Sequence, residues 1–215
     1  MGQAPFPKIP PDDEEEDASE GKASQYVWQH TVNTCRAFLS PWYERGGMEP
    51  ADENDKPVFV GRCNLGAVSL HLPMILARAR RESRDFYEVL DYYLEMIRAF
   101  HKRTYDYLGE LRASVNPIMF CEGGLYGGHL KPNEKIRKIL PPMTMSYGIT
   151  ALNELQELYN GKSLVEDNQF ALEVMKHINK KLAEYKKEDH ILYAVYGTPG
   201  SSAGAHAVMY AEKIA

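Results

Sequence analysis

The sequence predicts an α/β fold in which parallel strands alternate with helices packed over a buried sheet. Two observations carry that expectation. Short apolar runs of strand character recur at 58–73, 116–122, 143–149 and 191–197. Between them lie stretches with helical spacing of apolar residues, about 10 to 25 residues long, the length of crossover that joins two parallel strands. No repeat of fixed period is present.

The elements follow in chain order. Residues 1–24 contain "DDEEEDASEG" and hold too few apolar groups to offset ordering entropy, so a flexible acidic leader is expected there. A domain over 25–215 follows. Within it, "ERGGMEPADENDKP" at 44–57 breaks the chain with Gly, Pro and acids. "VFVGRCNLGAVSLHLP" (58–73) reads as extended, with alternation near Ala67 to Leu72. Phe86, Val89, Leu90, Tyr93, Leu94, Ile97 and Phe100 then recur at the spacing of an amphipathic helix, which makes Tyr87, Tyr92 and Tyr93 packing residues. "NPIMFCE" (116–122) reads as a short strand entered through Pro117, with "GGLYGG" as a loop. "MTMSYGI" (143–149) is a strand, and a helix over 151–159 stops at Asn160-Gly161. A helix over 170–187 puts Phe170, Val174, Ile178, Leu182 and Tyr185 on one face. "ILYAVYG" (191–197) is the last strand and leads through "TPGSSAG" into a closing helix.

Composition narrows the function classes. Among 215 residues 44% are hydrophobic and 26% charged, which fits one large globular domain or two small ones. A net charge of -5 gives no basic footprint for nucleic acid. Three cysteines, none in a CxxC pair, argue against a disulfide framework and against a cysteine zinc site, and fit a reducing compartment. The start "MGQAPFPKIPP" has no apolar signal region, and no run approaches the ~18 apolar residues that span a bilayer. A cytoplasmic protein is expected, without membrane or nucleic-acid partners.

Two places suggest chemistry. In "YGTPGSSAG" (196–204) Thr198 is a natural N-cap and Pro199 fits the first helical position, so Gly200, Ser201 and Ser202 offer backbone N–H groups and hydroxyls at a positive helix end. That suits a phosphate; an ordinary capped helix start is the other reading. In "HTVNTCRAFLSP" (30–41) Cys35 precedes Arg36, whose charge favours a thiolate, although a lone cysteine is more often a small hydrophobe. Cys63 and Cys121 fit packing positions. Seven histidines without HxH or HExxH spacing support no metal site. Asn64 in "RCNLG" is polar where a strand turns inward, and such amides are normally satisfied for a reason.

Taken in order, "TCRAFLSPWYE", "VGRCNLGAVSLHLPMI", "MTMSYGITALNELQELYNGKS" and "YGTPGSSAG" resemble the catalytic subunit of anaerobic (class III, glycyl-radical) ribonucleoside-triphosphate reductase over about 26–213. The resemblance implies half of a ten-stranded α/β barrel plus the finger loop (25–57) inside it. Cys35 then matches the cysteine that becomes a thiyl radical and removes the substrate's 3′ hydrogen, Asn64 an asparagine that bonds the ribose hydroxyls, and Thr198, Pro199, Gly200, Ser201 and Ser202 the loop that grips the phosphates. It implies a ribonucleoside triphosphate as substrate and a glycyl radical supplied from outside these residues, installed by an S-adenosylmethionine/iron–sulfur activase. The partners it implies are that activase and the remaining reductase segments, and no metal is held here.

The pattern departs from the family at Thr34, where Gly is usual, at "HLPM" with His71 and Met74 in place of "NLPR", at Gly200-Ser201-Ser202 in place of Ala-Glu-Ser, and at Cys63, where an aromatic is common. The 215 residues contain no Arg-Val-x-Gly-Tyr-type glycyl-radical motif, no C-terminal cysteine zinc site, no N-terminal ATP-binding regulatory region and no first half-barrel. The expectation is a chain that does not complete a turnover alone and exposes two strand edges and an apolar interior face. Rival readings are an inactive remnant that still binds a nucleotide or partner, and a phosphosugar-binding α/β protein.

Overall fold

The computed structural model describes residues 39–197. The stretch "TMSYGIT" forms β2 (Thr144–Thr150), and its residues from Thr144 to Ile149 are all buried, as a central strand requires. It is flanked by β1 (Asn64–His71) and β3 (Leu192–Gly197), both parallel to it, in the order β1-β2-β3. Two rows of register matter below: Ala67–Ser146–Ala194 and Ser69–Gly148–Tyr196. A bulge interrupts the ladder between Asn64 and Gly66.

Helices α1 (Leu72–Glu82), α2 (Phe86–Glu110) and a single turn, α3 (Pro117–Phe120), connect β1 to β2; α4 (Leu152–Asn160) and α5 (Gln169–Asp189) connect β2 to β3. Asp85 starts α2 by accepting the N–H groups of Tyr87 and Glu88, and Gly161 closes α4 with φ 77°. Val89, Leu90, Leu94 and Ile97 of α2, with Val174, Ile178, Leu182 and Tyr185 of α5, form the core with Met145, Tyr147, Ile149 and Tyr193 of the sheet. Each such aliphatic side chain contributes about 2 kcal/mol on burial. The α/β class and the parallel βαβ units are as expected; the described residues form three strands of the sheet.

Three expectations need correction. Residues 116–122 are not a strand: Asn116 accepts the Met119 N–H, Pro117 sits where its missing N–H is not needed, and one helical turn results. Cys121 therefore caps a helical turn and packs on a small separate cluster with Ala113, Ile136, Ile139 and Leu140. The segment 58–73 is extended only from Asn64 to His71, because His71 Nδ1 accepts the Met74 N–H at 3.3 Å and opens α1, a helix hidden in the apolar run. Finally, the face of the sheet away from the helices is mixed: period-2 alternation places Ala67, Ser69, Thr144, Ser146, Gly148, Ala194 and Tyr196 there together with the apolar Leu192.

Candidate functional site

The sheet face away from the helices carries two polar pairs. At its amino-terminal end Asn64 Nδ2 donates to Ser146 Oγ, while Asn64 Oδ1 accepts the Gly66 N–H at 3.1 Å. The bulge thus fixes the carboxamide in one orientation, half-buried on the sheet surface. Two strand positions further on, about 7 Å away, Ser69 Oγ lies 3.1 Å from the Tyr196 hydroxyl. These two side chains cross over Gly148: a Cβ there would sit 2.3 Å from Ser69 Oγ and 2.9 Å from the Tyr196 ring, so only glycine fits beneath them.

The amino-terminal edge of the sheet is tied to the chain that leaves the Cys35 segment. Ser40 donates its N–H to Thr144 Oγ1 at 3.2 Å and its hydroxyl to the Tyr193 carbonyl at 2.5 Å. Arg62, buried, donates to the carbonyls of Ser40 at 2.7 Å, Val58 at 2.6 Å and Pro142 at 2.5 Å. Burial lowers its pKa to about 10, the hallmark of a cation removed from water without a full countercharge. Cys63 beside it has its Sγ 3.7 Å from Met143 Sδ, and burial pushes that thiol up, so it stays protonated.

His101 of α2 backs the site from the core side. Its Nε2 lies 3.1 Å from the Ser146 carbonyl, and the ring is fully buried, which lowers its pKa to about 4. The neutral ring is therefore the native form. An unfolded chain takes up the proton near pH 6.5, so between pH 6.5 and about 4 it binds more protons than the folded one. Stability should fall across that window as pH drops, by about 3 kcal/mol in total, and be unaffected by this group above it. His71, whose pKa burial also lowers, adds to the same slope. Denaturant midpoints measured from pH 7 to 4 check this, and His101→Phe should flatten the curve.

Of the residues expected to carry function, Asn64 sits half-buried on the sheet face away from the helices. Cys35 and Thr198, Pro199, Gly200, Ser201 and Ser202 lie outside the described residues, although Gly197 ends β3 directly before that loop. Sequence reasoning misses Ser40, Arg62, Ser69, Thr144, Ser146 and Tyr196. A signal for part of this set exists: Thr144, Ser146, Gly148 and Thr150 alternate through a strand otherwise read as apolar. The His71 departure is conservative in one respect, since its ring nitrogen caps α1 as an asparagine would. Among the described residues no group of three or more His, Cys, Asp or Glu could hold a metal ion, and no helix is long and apolar enough to cross a membrane.

Comparison with known proteins adds an independent observation. The family described as "Anaerobic ribonucleoside-triphosphate reductase" matches residues 17–213. The protein of that name from Haemophilus influenzae is 30% identical over 174 residues, covering 78% of this chain and 23% of that protein. Those of Salmonella typhimurium and Enterobacteria phage T4 are 26% and 25% identical over the same length, 23% and 26% of each respectively. The chain spans about a quarter of the length of the curated relatives it matches.

Proposed function

The chain belongs to the anaerobic ribonucleoside-triphosphate reductase family, and on that premise we propose that it forms part of a catalytic barrel that reduces ribonucleoside triphosphates in the cytoplasm. The observation that carries the reading is the carboxamide of Asn64, locked between Ser146 and the Gly66 N–H beside the small residues Ala67 and Ala194. Such a polar spot on the sheet face is suited to ribose hydroxyls. The proposed substrate runs along it. Its phosphates meet the backbone N–H groups and hydroxyls of Thr198 to Ser202 where β3 ends, and its ribose hydroxyls meet Asn64. Ser146 stands opposite Ala194, three positions before Gly197, so the two ends lie about 10 Å apart. That separation is of the order of the reach from a ribose to its phosphate chain.

Cys35 is then the hydrogen carrier. Its S–H hydrogen passes to the glycyl radical held on another reductase segment, which an S-adenosylmethionine/iron–sulfur activase installs. The sulfur takes the ribose 3′ hydrogen, its S–H re-forms, and the hydrogen returns to C3′ after an external reductant has supplied two electrons and two protons, one leaving with the 2′ hydroxyl as water and the other bonding to C2′. An S–H bond is close in strength to the ribose C–H bond, so both transfers cost little. A sheet face enclosed by the rest of the barrel keeps the sulfur from water and oxygen.

The remaining reductase segments have a place to pack. Among the described residues β1 is an edge strand, and beside it runs a groove of about 590 Å³ lined by Val68, Leu70, Met74, Ile75, Met96 and Phe100. An open parallel edge next to an apolar groove is normally covered. The reading is tested by adding the 215-residue chain to the remaining, activated reductase segments. Deoxynucleotide should form only when both are present; no product from the mixture would count against it.

A further inference from the structure

The proposed reaction gives no task to the second polar pair of the sheet face. Ser69 stands on β1 and Tyr196 on β3, so the phenol crosses the whole width of β2 to bring its hydroxyl within 3.1 Å of Ser69 Oγ, and the pair is exposed. The strand beneath makes room for this bridge. Gly148 is the register partner of both residues, and a Cβ there would lie 2.3 Å from Ser69 Oγ and 2.9 Å from the Cζ and hydroxyl oxygen of Tyr196. Any other residue at 148 would drive the pair apart.

The next row towards the amino-terminal end of the strands is Ala67–Ser146–Ala194, all small side chains. These small residues lie between two polar groups: the Asn64 carboxamide, which donates to Ser146 Oγ, and the Ser69–Tyr196 bridge about 7 Å further along the strands. In sequence Tyr196 lies two residues before Thr198. A ribose whose hydroxyls meet Asn64, and whose phosphates run towards the residues after Gly197, therefore carries its 5′ oxygen and first phosphorus over the bridge.

The hydroxyl chemistry suits that group. Each hydroxyl brings one O–H and two lone pairs, and the bond between the two uses one O–H. With Ser69 donating, the phenol keeps its own O–H for a ligand. The strongest acceptor that a nucleotide presents there is a phosphate oxygen, because a hydrogen bond to an ionised acceptor is roughly twice as strong as a neutral one. We propose that the bridge is the α-phosphate subsite: Tyr196 donates its hydroxyl to a non-bridging α-phosphate oxygen, while Ser69 and Gly148 hold the phenol over β2 in reach of it. This rests on the nucleotide reading of the sheet face. Tyr196 is then a specificity residue, one that separates a 5′-phosphorylated ribose from a free nucleoside, and the residues from Thr198 to Ser202 are left for the outer phosphates.

A strut that only tied β1 to β3 would treat a nucleoside and its 5′-monophosphate alike, and the experiment uses that difference. Affinities of a ribonucleoside, its 5′-monophosphate and its 5′-triphosphate are measured by competition in the assembled reductase and in the same enzyme carrying Tyr196→Phe, which keeps the ring and loses only the hydroxyl. The expected result is a loss of about 10-fold for the monophosphate and the triphosphate, with the nucleoside unchanged. Ser69→Ala, which frees the phenol without removing it, should weaken the monophosphate by a smaller factor, and it decides alone if Tyr196→Phe fails to fold. Equal losses for nucleoside and monophosphate, or no loss for either, overturn the subsite and leave the reductase reading standing on product formation. A parent enzyme that binds none of the three overturns both.

Discussion

In the assembled and activated reductase, Cys35→Ala is expected to abolish deoxynucleotide formation and to leave nucleotide affinity unchanged. The loss is complete because the proposed reaction uses the sulfur twice, to take the 3′ hydrogen and to return it, and alanine has no hydrogen of comparable bond strength to exchange. The two described thiols are not expected to replace it. Cys63 is half-buried against Met143 Sδ, on the turn before β1, and Cys121 belongs to a separate small cluster under α3. Affinity survives because the groups assigned to binding, Asn64 and the loop from Thr198 to Ser202, are untouched. Product formation measured beside equilibrium nucleotide binding in one preparation checks both halves. Reduction at an undiminished rate would place the chemistry elsewhere.

The second large effect belongs to Asn64→Asp. The new side chain keeps an oxygen for the Gly66 N–H and accepts from the Ser146 hydroxyl, so the bulge should survive with little change in stability. What disappears is the amide donor, and a negative charge now faces the ribose hydroxyls. Losing one well-aimed donor costs about 100-fold or more in rate when it acts on a reacting centre. We expect kcat/KM to fall by about that factor, with the thermal midpoint near that of the parent. Asn64→Ala is the weaker test, since it also strands the Gly66 N–H and costs about 1 kcal/mol of stability. An aspartate variant with undiminished kcat/KM would remove Asn64 from the site.

Much of the frame is legible in the amino-acid sequence. Phe170, Val174, Ile178, Leu182 and Tyr185 follow helical spacing without interruption, and all five are buried. The Asn160-Gly161 stop works because Gly161 takes the left-handed conformation that a closing helix demands. Where capping and apolar signals conflict, reading fails: "NPIMF" has strand-like side chains, but Asn116 and Pro117 together start a helix, and capping outweighs composition over four residues. Helix α1 is hidden for a related reason, its cap being a histidine.

The site divides the same way. Asn64 stands out because a polar residue interrupts an apolar strand. Arg62 cannot stand out, since its partners are backbone carbonyls, which every residue offers, 22 and 80 positions away for Ser40 and Pro142. Ser146 and Gly148 are readable only through period-2 alternation, which a strand buried on both faces tends to mask. The interior face expected to be apolar mixes Leu192 with small and polar residues for a reason no single strand states: three strands contribute alternate residues to one surface.

The account turns on hydrogen moving between C3′ of the substrate and Cys35. The direct measurement is the rate of reduction of a ribonucleoside triphosphate carrying deuterium at C3′, by the enzyme assembled with this chain. The account predicts slower reduction than with the undeuterated substrate, and no reduction of either by Cys35→Ala. Equal rates together with full activity of Cys35→Ala would contradict it.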